Sequence, residues 1–183
     1  MPFSRHINCT ATCHSTVVSL SYRLLTLNSV VIKHEPPGRN RVEYNRERRC
    51  YGVESIAQSP YIRRMHESIG HAQNEEGEDA QPQYMVFEWM DSDLWQQPSE
   101  PFRSGSQVPR IVAKAVLEAL AVFADVDGVH TDVNPNNVLV SGIHDPSPTV
   151  KLGDLGNCMF PACFWSAWDD DIRTHNHPSD RRR

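Results

Sequence analysis

Three oxygen-bearing side chains between residues 129 and 156 have the types and spacing of a site for a hard cation and a phosphate. Asp132 and Asn137 lie five residues apart in Val129-His130-Thr131-Asp132-Val133-Asn134-Pro135-Asn136-Asn137, a polar loop that feeds the apolar run Val138-Leu139-Val140. Asp154 follows a second apolar stretch, Val150-Lys151-Leu152-Gly153, and is trailed by Leu155-Gly156. Carboxylate and amide oxygens are what magnesium accepts beside phosphate, so a fold that brings the two stretches together has the donors for a metal-bound phosphate.

The elements that must position these residues can be read upstream. Ser29-Val30-Val31-Ile32-Lys33 predicts a β-branched strand ending in a lysine, stopped by Pro36-Pro37-Gly38. Val42 to Gln58, rich in Arg and Glu with Tyr44, Tyr51, Val53 and Ile56 interleaved, predicts a helix that Gly52 weakens by about 1 kcal/mol relative to Ala. Ser59-Pro60 ends it, and Tyr61 to Ile69 predicts a strand. Gly70 to Gln83 is an acidic, solvated loop, and Tyr84 to Met90 an apolar strand covered on both faces. Pro109 opens a helix running to Val126, with Ile111, Ala115, Leu117, Leu120, Val122 and Phe123 on its apolar side and Gly128 as a left-handed cap. Residues 1–28 show no consistent period, and 159–183 read as a disordered tail.

At 183 residues the chain can bury one sizeable core. A net charge of -5 gives no electrostatic footprint for nucleic acid or an anionic membrane, and no apolar run is long enough to span a bilayer. Neither partner is expected. Five scattered cysteines fit a reducing, intracellular compartment better than a disulfide framework. Cys158, Cys163, His175 and His177 have atypical spacing for zinc, and solvated charge accounts better for Asp169-Asp170-Asp171.

The loop and the later Asp-Leu-Gly resemble the catalytic core of the eukaryotic-type protein kinases, H-R-D-x-x-x-x-N followed by D-F-G. The order of elements over residues 29–158 is similar as well, and its wording looks most like kinase-domain proteins of filamentous fungi. The resemblance implies an incomplete α+β fold, with a small β-rich lobe at 29–87, a hinge at 88–91 and the start of a helical lobe at 92–158. It implies ATP and magnesium as cofactors and phosphoryl transfer to a protein Ser or Thr hydroxyl. Lys33 would grip the inner phosphates, held by a carboxylate from the following helix. Glu47 and Glu54 share a face there, and distance from the Ser-Pro break favours Glu47. The backbone of Glu88 and Met90 would meet the adenine, with Phe87 closing the pocket behind it. Asp132 would orient the attacking hydroxyl and accept its proton, and Asn137 and Asp154 would bind the magnesium. Pro135 separates the loop from that of aminoglycoside-type phosphotransferases.

The chain also departs from that pattern. No glycine precedes Gly38, so the phosphate-cradling loop before Lys33 has no counterpart. Asn134 stands where the family has a lysine; an amide can hydrogen-bond a γ-phosphate, but the missing charge is worth up to about 4 kcal/mol at ~4 Å and an effective dielectric near 20. Thr131 replaces the arginine that reads activation-loop phosphorylation, and the large lobe is cut off after Asp-Leu-Gly. The expectation is weak or absent turnover, with a pseudokinase that binds nucleotide or protein as the competing reading.

Overall fold

The computed structural model describes residues 29–36, 40–70 and 83–161, together with the backbone of Val17 and Val18. Within them the chain forms a mixed α+β fold of two small antiparallel sheets and three helices. Strands β1 (Val17–Val18), β2 (Val30–His34), β4 (Tyr84–Glu88) and β3 (Met65–Ile69) lie side by side in that order. Helices α1 (Asn40–Cys50) and α2 (Glu54–Gln58) fall between β2 and β3. The second sheet, β5 (Ser92–Asp93), β6 (Val138–Ser141) and β7 (Thr149–Leu152), is accompanied by α3 (Val108–Ala124).

Where a single helix is expected from Val42 to Gln58, the structure has two. The chain turns at Tyr51-Gly52-Val53, with Gly52 N–H on the Arg49 carbonyl (2.9 Å) and Val53 N–H on that of Cys50 (3.1 Å). Gly and a β-branched residue are poor helix formers, and the break lets Tyr51 and Ile56 both reach the core. It also separates Glu47 from Glu54, which no longer share a face.

The strand expected from Tyr61 starts at Met65, because residues 61–63 pair elsewhere. Ile62 bridges Leu152 in parallel, Leu152 N–H donates to Tyr61 O (2.8 Å), and Arg63 N–H donates to Leu152 O (2.8 Å). This crossing joins the two sheets. Strand β4 is central, pairing Lys33 with Met85 on one side and Met65 with Phe87 on the other. Its Met85 and Phe87 are buried, while Tyr84, Val86 and Glu88 are only half covered.

Ala115, Ala119 and Phe123 form the buried stripe of α3, and Leu117, expected on that stripe, is exposed. Its C-terminus is capped one residue earlier than expected. Asp127, not Gly128, takes the left-handed conformation (φ 53), with Asp127 N–H on Ala124 O (3.1 Å) and Gly128 N–H on Phe123 O (2.7 Å). Gly128 is needed for a different reason: a Cβ there would sit 2.6 Å from the Phe160 ring. Phe160 packs on Phe123 (6.2 Å between centroids), and Val129 and Met159 exchange hydrogen bonds of 2.8 Å. Met159, through its backbone, and Phe160, through its ring, are thus fixed to the rest of the fold rather than part of a tail.

One core runs through both sheets, from Ile56, Ile62 and Phe87 to Phe123, Val140, Leu152 and Leu155. No helix among the described residues is long and apolar enough to cross a membrane. The unassigned segment 1–28 except for Val17 and Val18, the Pro37-Gly38 stop, most of the acidic loop, the remainder of the expected tail, and Cys163, His175 and His177 lie outside the described residues.

Candidate functional site

Lys33, Glu47 and Asp154 come together from three separate segments. Lys33 Nζ donates to Glu47 Oε2 at 2.5 Å and reaches Asp154 Oδ1 at 3.4 Å. Helix α1 turns Tyr44, Glu47 and Cys50 inward at a spacing of three, so the carboxylate shares a buried face with two core residues. The tight turn Leu155–Asn157 then packs on α1: Arg46 Nη1 donates to Gly156 O (3.2 Å), and the Cys50 thiol points at Leu155 O (3.7 Å). A side chain at Gly156 would press on Glu43, whose Cβ and carbonyl oxygen lie 3.3 Å away. That close approach sets Asp154 beside Lys33. Glu54 is remote from the cluster and accepts from Gln58 (2.8 Å).

Asp154 has left-handed backbone angles (φ 54, ψ 73), a conformation unusual outside glycine that Asp and Asn tolerate best. Its carboxylate is about half exposed (47%), whereas Glu47 is 3% exposed. Burial pushes the Glu47 carboxyl above its ordinary range, although Lys33 pulls against it. Burial lowers the Lys33 ammonium, but the charges of Glu47 and Asp154 outweigh it and the net direction is upward. The lysine is therefore held charged between one buried and one accessible carboxylate.

Asp132 sits in a cage of amides. Asn134 Nδ2 donates to its Oδ1 (2.8 Å), and Asn137 Nδ2 donates to its Oδ2 (3.2 Å) and its backbone carbonyl (2.9 Å). Asn157 Nδ2 approaches Oδ2 at 3.5 Å. Asn134 is engaged at both ends, since its Oδ1 caps the following turn by accepting from Asn136 N–H (3.0 Å). With its Nδ2 committed to Asp132, Asn137 keeps Oδ1 as the atom available to a cation. Gly153 N–H donates to Asn137 O (2.8 Å), which ties this loop to the residue before Asp154.

Buried His130 completes that tie. Asp132 N–H donates to His130 Nδ1 (3.3 Å), so the ring proton belongs on Nε2, which donates to Gly153 O (3.1 Å). Thr131 Oγ1 donates to Asn157 O (2.6 Å). Sequence reasoning gave His130, Thr131 and Asn157 no positioning role; the place of His130 two residues before Asp132 was the available signal.

Phe87, Glu88 and Met90 line the junction of the two sheets. Phe87 is buried between Tyr51 (centroids 5.5 Å apart) and the guanidinium of Arg63, 5.1 Å from the ring centroid. Met90 is buried, and Ser141 Oγ lies 3.9 Å from its sulfur. Both backbone groups of Glu88 are engaged: its N–H donates to Arg64 O (3.0 Å), and its carbonyl accepts from Arg63 Nε (3.1 Å) and Nη2 (3.0 Å). Its carboxylate is clasped by Lys151 Nζ at 2.7 and 2.8 Å. Arg63 was also missed from the sequence.

Among the described residues no three His, Cys, Asp or Glu side chains are grouped to hold a metal. The oxygens on offer here are one carboxylate, Asp154, and one amide, Asn137. Cavities of about 280 and 300 Å³ lie against α3, lined in one case by Gln107, Ile143 and Asp145 and in the other by Tyr61, Lys114 and Thr149. Neither touches the cluster. No protein-family model matches the chain, and no curated protein matches it at a significant level.

Proposed function

We propose that the Lys33–Glu47–Asp154 cluster, with Asp132 and Asn137, is a protein kinase-like site for magnesium-bound ATP, in a chain whose phosphoryl transfer is weak or lost. The observation that carries this reading is the convergence of Lys33 on both Glu47 and Asp154, at 2.5 and 3.4 Å. A buried carboxylate that fixes a lysine beside a second, accessible carboxylate suits a point charge reserved for phosphate and an acid reserved for a cation. One carboxylate with one amide fits magnesium, which takes few protein ligands and completes its shell with phosphate oxygens and water. When bound, the metal supplies charge neutralisation at the phosphates.

The chain's own residues do the rest. Lys33 holds the inner phosphates, and Asp154 and Asn137 seat the cation. Asp132, its carboxylate aimed by Asn134 and Asn137, orients a protein Ser or Thr hydroxyl and takes its proton. Asn134 limits the rate. It brings no charge to the transferred phosphoryl group, and both ends of its amide are already used inside the loop. That observation favours the second reading, a pseudokinase module that keeps nucleotide and turns it over poorly.

Calorimetric titration with ATP, with and without magnesium, tests the site. The expected result is magnesium-dependent binding that Asp154→Asn removes while the fold survives, because Asn tolerates the left-handed backbone. Binding that ignores both magnesium and the Asp154 substitution would refute the assignment.

A further inference from the structure

Arg63 stands out as a half-buried arginine that the proposed site does not use. Its guanidinium always carries charge, and burial depresses its pKa against the nearby Tyr51, Glu47, Glu88 and Asp154. Such a group persists inside a protein only when its donors are engaged. Nε and Nη2 converge on one atom, the Glu88 carbonyl oxygen, at 3.1 and 3.0 Å. The plane is held over Phe87 (5.1 Å), and its own backbone is pinned by Tyr51 Oη on Arg63 O (2.8 Å) and by Arg63 N–H on Leu152 O (2.8 Å). A carbonyl oxygen has two lone pairs, and here two donors from one rigid fork claim it.

The Glu88 carbonyl is also the acceptor that the proposed hinge would offer to the 6-amino group of adenine. From this juxtaposition we infer that Arg63 sets base selection at the nucleotide site, by occupying the Glu88 carbonyl so that a purine's 6-amino group finds no acceptor there. The inference rests on the nucleotide-site reading and deepens it. A 6-amino group brought to Glu88 meets donors rather than a free lone pair. Adenine then gains nothing over a purine that lacks the substituent. Displacing the guanidinium would cost its contact with Phe87 and its two hydrogen bonds to the Glu88 carbonyl.

The test compares magnesium complexes of ATP and of purine riboside triphosphate, which differ only in the 6-amino group, by calorimetry on the full chain. Wild-type protein is expected to bind the two within about twofold. Arg63→Met frees the carbonyl and should bring out an ATP preference of about five- to tenfold, the worth of one hydrogen bond. Removing the charge weakens both nucleotides alike through their shared triphosphate, so the ratio isolates the base. A wild-type preference for ATP of about tenfold overturns the inference and leaves the nucleotide site standing, and so does an Arg63→Met ratio equal to wild type. No binding of either nucleotide by wild type at millimolar concentration, with normal far-UV circular dichroism, overturns the nucleotide site and this inference with it. Should Arg63→Met fail to fold, the wild-type ratio decides alone.

Discussion

Lys33→Met should destabilise the protein in a way that depends on pH, and the size follows from burial. Glu47 is 3% exposed, and among the described residues its one ion pair is with Lys33 at 2.5 Å. Removing the lysine strands a carboxylate for which water is unavailable, the situation that costs about 3–5 kcal/mol when a buried pair is broken. Glu47 can escape by taking up a proton. Starting from an ordinary value of 4.5, protonation at pH 7 spans about two and a half pKa units at about 1.36 kcal/mol each, which caps the loss near 3.4 kcal/mol. Arg63 lies close enough to reduce it and Asp154 close enough to add to it.

The sign is that of a carboxyl whose folded pKa is raised. The folded variant binds more protons than the unfolded chain, so its stability is retained below about pH 4.5 and falls as pH rises through the raised value. Urea unfolding should therefore show a loss of about 3 kcal/mol at pH 7 and under about 1 kcal/mol at pH 5. Glu47→Gln should cost less than about 1 kcal/mol, because Lys33 is partly exposed and keeps Asp154 at 3.4 Å. The double variant should lose the pH dependence. Equal losses for Lys33→Met at both pH values, or a Glu47→Gln loss as large as that of Lys33→Met, would refute the reasoning.

Two further substitutions probe the frame of the site. The buried Tyr44 hydroxyl has no hydrogen-bond partner among the described residues, and burial pushes its pKa up to about 12. Tyr44→Phe should leave the melting temperature unchanged or raised, and should flatten the stability lost between about pH 10 and 12; a drop of several degrees would mean that the hydroxyl has a partner. Gly128→Ala places a methyl group 2.6 Å from Phe160 Cε1 and should cost about 1–3 kcal/mol in denaturant unfolding, whereas a neutral result would show that the ring is free to leave.

Elements encoded within a few residues were legible in the sequence: the strand ending near Lys33 and the long α3 both form where their residue types place them. The choice between Glu47 and Glu54 was not legible by phase, since both fit one continuous helix. It was settled by the turn at Gly52, which depends on core space for Tyr51 and Ile56. The crossing at residues 61–63 was hidden for the same reason: Tyr61, Ile62 and Arg63 have strand-like types, but their partner Leu152 is far away in the chain. Arg63 is one of two consecutive arginines in that stretch, and only the tertiary contacts with Phe87 and Glu88 distinguish it from the exposed Arg64.

The bridge between Ile62 and Leu152 also governs the order in which the molecule can assemble. The β6–β7 hairpin and α3 are local and can form as soon as their residues exist. Joining them to Ile62 closes a loop of roughly 90 residues, with an entropic cost of about 4 kcal/mol that scales with the logarithm of loop length. Lys33 and Asp154 are further apart still, at 121 residues. A chain leaving the ribosome therefore carries the Lys33 half of the cluster long before Asp154 arrives. Non-local closure of this kind slows folding, and the Lys33–Glu47–Asp154 cluster is among the last features the protein acquires.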